Sequence, residues 1–398
     1  MRGGEKVIES LCRLYPDADI YTHVHDPGAI SRSINEHRIS TTFIQQLPFA
    51  KRLYQLYLPL MPLALEQLDL REYDLVISSE SGPSKGVLLS PETLHVCYCS
   101  TPMRYIWDMY RDHLDRASLP VRMMMRPLTH YLRLWDQASA ARVDHFFANS
   151  SFVANRVRKF YRRDAEVLPP PVDVARFANA APAGDYYLML GELVAYKRPE
   201  IAIEAFRRLG RKLVVVGKGP LLRTLQQSAS ANVQFMGHQS DDRVRALFAG
   251  CRALVFPGLE DFGIVPVEAM AAGRPVVAFG RGGALDTIVD GKTGVLFHEQ
   301  TAEALAAAVT RLEAIEARLD PAVIAAHAAQ FDRRRFEARF AARVDRLLAD
   351  ARAAPPATAS ADDQGCHELL GGDRAETRRS ADPAAHGTFG IGPASRPA

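Results

Sequence analysis

The stretch Ala253-Leu254-Val255-Phe256-Pro257-Gly258-Leu259-Glu260-Asp261-Phe262-Gly263-Ile264-Val265-Pro266-Val267-Glu268-Ala269-Met270-Ala271-Ala272-Gly273-Arg274-Pro275-Val276-Val277-Ala278-Phe279 decides the fold. An apolar run, Ala253 to Phe256, breaks at Pro257-Gly258; a helical pattern opens after Gly263; Gly273-Arg274-Pro275 then returns the chain to a second β-branched run. Strand, helix, strand in this order predicts two parallel strands joined by a crossover helix. The helix then begins at the end of the first strand, where its unpaired N–H groups and partial positive charge favour phosphate oxygens. Glu268 lies one to two turns into that helix, and a carboxylate accepts two hydrogen bonds from a vicinal diol. Glu260 and Glu268 beside a phosphate site therefore point to sugar and ribose hydroxyls. Either glutamate alone would read as an ordinary solvated side chain.

Outward from this segment the same rhythm continues from Tyr186 to about Thr310, with further strands expected at Tyr187 to Leu190, Leu213 to Val216 and Val233 to Met236. Helices are expected at Pro199 to Arg208, with proline in the first turn, and at Ser240 to Ala249, with Ser240 as N-cap. The fold class is α/β with parallel sheets. Leu168-Pro169-Pro170-Pro171-Val172-Asp173 and the stretch Asn179 to Gly184 stiffen the chain and interrupt the rhythm, so a linker is placed at 168–184 between domains 1–167 and 185–330. The N-terminal strands are expected at Ile20 to Val24, Leu75 to Ser78, His95 to Cys99 and His145 to Ala148, with a helix at Ser151 to Tyr161. Met1-Arg2-Gly3-Gly4 reads as a glycine turn after a strand that is itself missing, and Glu5 to Leu14 as the helix that follows. Phe336, Phe340, Val344 and Leu347 share one helical face within 331–350, so that helix docks. Residues 351–398 carry few large apolar side chains and are expected to be disordered.

Composition bounds the function. Apolar residues at 47% and charged residues at 24% are those of a globular protein, and a net charge of +3 over 398 residues gives no basic field for nucleic acid. The five cysteines are scattered and odd in number, which fits a reduced compartment. Cys97 and Cys99 would share one face of a strand, as a metal or redox pair or as small buried hydrophobes. No run is long enough to span a membrane and the N-terminus has no signal-peptide core, so a cytoplasmic location is expected.

Other motifs fall at strand ends, where folds of this class bind ligands. In Gly191-Glu192-Leu193-Val194-Ala195-Tyr196-Lys197-Arg198-Pro199, Lys197 and Arg198 oppose the dipole of the helix they precede, a placement that makes sense for neutralising a diphosphate. Gly217-Lys218-Gly219-Pro220 follows another strand. Cys97-Tyr98-Cys99-Ser100-Thr101-Pro102-Met103-Arg104-Tyr105-Ile106-Trp107-Asp108 leaves a strand of the N-terminal half and offers Arg104 as an anion contact, or as a structural partner of Asp108. Gly3 and Gly4 would let backbone approach phosphate from the opposite wall. Ser78 to Gly86 suits acceptor hydroxyls, and equally an ordinary turn. Leu119 to Leu134 mixes Met123, Met124, Met125, Leu128 and Leu132 with Arg122, Arg126 and Arg133: a membrane-surface face or a core stripe, as is Lys51 to Leu65.

Glu260 and Glu268, with seven residues between them in the setting quoted above, resemble the E-x7-E motif of retaining glycosyltransferase family 4. The segment around Arg104 resembles that family's H-T-P-x-R-Y, with Ser100 where histidine is usual. The resemblance covers most of residues 1 to 350 and is greatest to bacterial mannosyltransferase-like members of lipopolysaccharide and exopolysaccharide synthesis. It implies a GT-B fold: two Rossmann-like domains facing a cleft, with the 331–350 helix crossing back. It further implies that Glu268 binds ribose, Glu260 lies beside the donor sugar, and Phe262, Gly263 and Ile264 supply amides. Lys197 and Arg198 form a pyrophosphate clamp, Gly217 and Gly219 lie near the nucleotide, and Ser100 and Arg104 face the reaction from the N-terminal side. The implied reaction is hexose transfer with retention, from GDP-mannose or a UDP-hexose to a glycan or lipid-linked acceptor. No cofactor or metal is expected; peripheral contact with the inner face of a membrane is the alternative to a wholly cytoplasmic protein. A sugar-nucleotide epimerase or hydrolase, or a catalytically silent scaffold, fits the same residues.

Overall fold

A computed structural model describes residues 3–178, 182–353 and 387–391. These residues form two all-parallel sheets. The C-terminal one has the order β12-β11-β10-β7-β8-β9, where β7 is Tyr186–Leu190, β8 Lys212–Val216, β9 Val233–Gly237, β10 Ala253–Phe256, β11 Val276–Phe279 and β12 Gly294–Phe297. Its strands read as near-continuous apolar runs because both faces are covered: β10, β11 and β12 are buried along their whole length. One face packs on Phe248, Val267, Met270 and Phe331, the other on Ile201, Phe206, Leu305 and Val309.

Helices Pro199–Leu209 and Asp241–Gly250 stand where expected, and the Ser240 side chain accepts the amide of Arg243 as the N-cap should. Strand β12 and helices Ala302–Ile315 and Pro321–Ala328 extend the pattern past the expected elements.

The N-terminal sheet has the order β2-β1-β13-β3-β4-β5-β6: β1 Asp19–Thr22, β2 Ile39–Thr41, β3 Leu75–Glu80, β4 Leu94–Cys99, β5 His145–Ala148, β6 Glu166–Val167 and β13 Gly387–Ile391. Two expectations are corrected here. The tail is not wholly without structure, since Gly387–Ile391 lies parallel between β1 and β3, pairing Phe389 with both Ile20 and Ile77. It stands between β1 and β3 in the middle of the sheet, where the strand expected ahead of Gly3 would lie; the remaining tail residues, 354–386 and 392–398, lie outside those described. Gly3 and Gly4 are not a turn either. They form the start of helix Gly3–Leu14, which packs Val7, Ile8 and Leu11 into the core.

The last long helix, Arg333–Ala353, begins beside the C-terminal sheet and crosses to the N-terminal one. A bridge from Val172 to Asp332, with Val172 donating to the Phe331 carbonyl and Arg333 donating to that of Val172, ties the two crossings together. Phe336, Phe340 and Val344 then pack on Tyr98, Phe147 and Leu11. At about 1.5–3 kcal/mol per fully buried side chain, these contacts hold the helix across the two halves. Cys97 and Cys99 are buried with Val143, Phe146 and Val153, as small core residues. Among the described residues no helix is long and apolar enough to cross a membrane.

Candidate functional site

Strands β7 and β10 end beside one another, and the loops leaving them form a cavity lined by Gly191, Glu192, Lys197, Pro257, Gly258 and Glu260. Glycine at 258 has a steric reason: a Cβ there would come within 2.8 Å of the Lys197 Cα. This close approach lets the Lys197 ammonium reach Glu260, with Nζ 3.1 Å from Oε1. Burial disfavours the ammonium, but Glu260 and the Tyr196 ring outweigh it, so the Lys197 pKa is raised. Gly217 and Gly219 also serve packing. A Cβ at 217 would sit 1.8 Å from the Gly191 carbonyl oxygen, so the loop after β8 lies directly against the loop that carries Lys197.

Gly263 adopts φ 87° at the N-cap of helix Ile264–Ala271, a conformation that favours glycine, and so presents the amides of the first turn. From this helix Glu268 is buried rather than solvated, with 7% of its surface exposed. Its Oε1 lies 2.8 Å from the Nζ of Lys6, on the Gly3–Leu14 helix of the other half. The two glutamates are thus each paired with a lysine, one within its own half and one across the cleft.

Asp261 adds a second connection across the cleft. Arg156 Nη1 donates to its Oδ1 at 2.9 Å, Arg104 Nη1 lies 3.5 Å from its Oδ2, and the Ser150 hydroxyl donates to its backbone carbonyl. Burial raises the Asp261 pKa, while Arg104 and Arg156 pull it back down. The Arg104 guanidinium also lies 5.6 Å from the centre of the Tyr196 ring, beside Lys197. Ser151 bonds Asp286 nearby through both its amide and its hydroxyl.

Glu260, Lys197, Gly217, Gly219, Phe262, Gly263, Ile264 and Glu268 therefore gather around one end of the C-terminal sheet. Ser100 stands opposite, its carbonyl accepting from the Asn149 side chain at 2.8 Å. Some assignments change. Arg198 turns away from the cavity to Glu200, so Lys197 alone faces it. Arg104 pairs with Asp261 rather than Asp108, which is taken by Arg156 at 2.7 Å. The Ser78 to Gly86 loop is not an open acceptor surface: Lys85 is buried against Asp136, and a Cβ on Gly86 would overlap Trp135. The Met and Leu stripe is largely outside the core, with Leu119, Met123, Met124 and Leu134 exposed and Leu132 buried.

Lys6, Arg156, Asp261 and the pair Gly282-Gly283 had no assigned role. A Cβ on Gly283 would fall 2.3 Å from the Phe262 Cα, and its amide donates to the Glu260 carbonyl, so this loop buttresses the glutamate. Two consecutive glycines after a strand were the available signal for it. Arg156 and Asp261 carried none, because their meaning depends on a contact between distant parts of the chain. Among the described residues no group of three or more His, Cys, Asp or Glu is arranged to hold a metal ion.

Two family models match in succession, Glycosyltransferase Family 4 over residues 1–176 and Glycosyl transferases group 1 over residues 173–328. The chain belongs to the family 4 type of glycosyltransferase, with the GT-B fold. A GDP-mannose-dependent α-(1-6)-phosphatidylinositol monomannoside mannosyltransferase of Mycolicibacterium smegmatis is 34% identical over 174 residues, covering 36% of this chain and 46% of that protein. A D-inositol 3-phosphate glycosyltransferase of Mycobacterium leprae is 29% identical over 226 residues, covering 49% and 53%. The chain thus spans about half the length of these curated relatives. Among solved structures, Anabaena HepE in complex with UDP and glucose has a TM-score of 0.61 at 17% identity, covering 86% of this chain and 96% of that one. Sucrose-phosphate synthase of Thermosynechococcus elongatus has a TM-score of 0.62 at 19% identity, covering 83% and 89%.

Proposed function

We propose that the protein transfers a hexose from a nucleoside diphosphate sugar to a glycan or lipid-linked glycan, with retention of anomeric configuration. The observation that carries this reading is the convergence of Glu260, Lys197 and the buried Glu268 around the start of helix Ile264–Ala271. Glu268 takes the ribose diol, the amides of Gly263 and Ile264 take phosphate oxygens, and Glu260 faces the sugar hydroxyls. Lys197 supplies fixed positive charge to the departing diphosphate, the role a divalent ion would otherwise fill. The acceptor hydroxyl attacks from the face the diphosphate leaves, and a leaving phosphate oxygen accepts its proton.

Mannose from GDP-mannose is the favoured donor, supported by the mycobacterial relative named for that substrate; HepE, crystallised with UDP and glucose, keeps a UDP-hexose as the second choice. The acceptor is proposed to reach the N-terminal half from an anionic membrane surface on the inner face. Exposed Phe49, Leu56, Leu119, Met123 and Met124 occur among Lys51, Arg52, Arg122 and Arg126, and the two segments adjoin through Leu58, Leu128 and Leu132. Incubating the protein with GDP- and UDP-sugars, with and without a lipid-linked acceptor, and reading the products by NMR tests the proposal. An α-linked product from an α-donor is expected. Free sugar without acceptor would instead indicate hydrolysis, and binding without turnover a scaffold.

A further inference from the structure

Asp261 stands between the sugar-facing Glu260 and Phe262, yet its carboxylate points away from the cavity, into the other half of the molecule. Only 16% of its side chain is exposed, little for a charged group on a cleft loop. Both its oxygens are taken by arginines from separate elements: Oδ1 by Arg156 of helix Ser151–Tyr161, Oδ2 by Arg104 of the loop after β4. Its backbone carbonyl accepts from Ser150, at the N-cap of the same helix. Arg156 in turn holds Asp108 and the Thr101 hydroxyl, at both ends of the Arg104 loop.

The consequence is geometric. Arg104 is aimed across the cleft to within 5.6 Å of the centre of the Tyr196 ring, which the Lys197 ammonium also approaches, at 5.8 Å. A cation held at this spot, over the ring that the cavity-lining Lys197 also approaches, adds positive charge on the facing side of the cleft, where a diphosphate would meet it. Nothing on its own loop aims it, since Asp108 is occupied by Arg156. The carboxylate of Asp261 does.

We propose that Asp261 is a positioning residue: with Arg156 it latches the cleft shut and sets Arg104 against the donor's diphosphate. This rests on the donor site described above. In the latched state the loop bearing Glu260 and the loop bearing Arg104 share one ion-pair network, so the two sides of the reacting centre are fixed relative to each other. Open the latch, and the donor still meets Glu268 and Lys197 while Arg104 is out of register.

The test compares wild type with Asp261→Asn, Asp261→Glu and Arg156→Lys. Since misplacement by about 1 Å at a reacting centre costs on the order of 100-fold, Asp261→Asn is expected to lower kcat by about that factor with donor KM within about threefold. Asp261→Glu, which keeps the charge, is expected to recover about tenfold of the loss. Small-angle scattering reads the latch without turnover: the free wild-type protein should give a radius of gyration of about 21 Å, that of a compact chain of this length, and Asp261→Asn a larger one. Should Asp261→Asn fail to fold, Arg156→Lys, which loses the forked contact but not the charge, is expected to show the same kcat-selective loss. An unchanged kcat and unchanged radius overturn the proposal, as does a loss confined to KM. A wild-type protein that binds no sugar nucleotide overturns the donor reading instead, and the scattering comparison then still decides the latch.

Discussion

Glu260 and Glu268 reach the same cleft under different constraints. Glu260 is held by Lys197, distant in sequence but close in space, because β7 and β10 are neighbours and Gly258 lets the loops that leave them touch. Glu268 is held by Lys6 from the facing half through one oxygen, so a ribose diol arriving there shares the carboxylate with that ammonium. The glycines around them are fixed by contact as much as by backbone freedom. Gly217 shows it best: its φ of 147° and its contact with the Gly191 carbonyl leave no room for a methyl group. Gly217→Ala is therefore expected to push the Lys197 loop out of place, lowering thermal stability by about 1–3 kcal/mol and weakening donor binding. Denaturant titration with donor calorimetry checks this, and a variant equal to wild type in both would show that the loop tolerates the shift.

At the scale of elements, β7 to β11 were legible because each is a short, largely apolar run closed by Gly or Pro, and both Ser240 and Pro199 mark helix starts in the places found. The candidate site was legible to the extent that it lies in one continuous segment: helix Ile264–Ala271, its glycine cap and both glutamates are a local pattern. Asp261 lies in that segment too, but its partners Arg104 and Arg156 come from another sheet, and no local pattern announces them. Strand β13 was illegible for a related reason. Gly387-Thr388-Phe389-Gly390-Ile391 has two glycines and only two large apolar residues, and becomes a strand through pairing with β1 and β3 rather than by propensity. Removing residues 354–398 leaves those two strands with unpaired backbone edges. Hydrogen exchange should then show lost protection of the β1 and β3 amides with β7 to β12 unchanged; undiminished protection would mean that the sheet closes without β13.

The molecule as a whole joins two halves by one crossing helix and a charged seam, and burial of two histidines ties the stability of the N-terminal half to pH. His95 and His23, both in the N-terminal half, have pKa values pushed down by burial to about 3 and about 4. The unfolded chain takes up their protons near 6.5, so it binds more protons than the folded one between that value and the folded pKa. Stability from these groups is complete above about pH 6.5 and is lost as the pH falls toward 3 to 4. Melting temperature should drop between pH 7.5 and pH 5, and His95→Gln, which keeps a neutral partner for Ser78, should reduce the drop. An unaltered slope in that variant would assign the acid sensitivity elsewhere.

The proposed donor site turns on Glu268 as the group that receives the donor's ribose. Calorimetric titration of GDP-mannose and UDP-glucose into wild type and Glu268→Gln tests it directly. Hydrogen bonds to a charged group contribute about 1.5–3 kcal/mol, so the variant should bind its preferred donor about 10- to 100-fold more weakly while its melting temperature stays close to wild type. Equal affinity in the two proteins, or no binding of either sugar nucleotide to wild type, would contradict it.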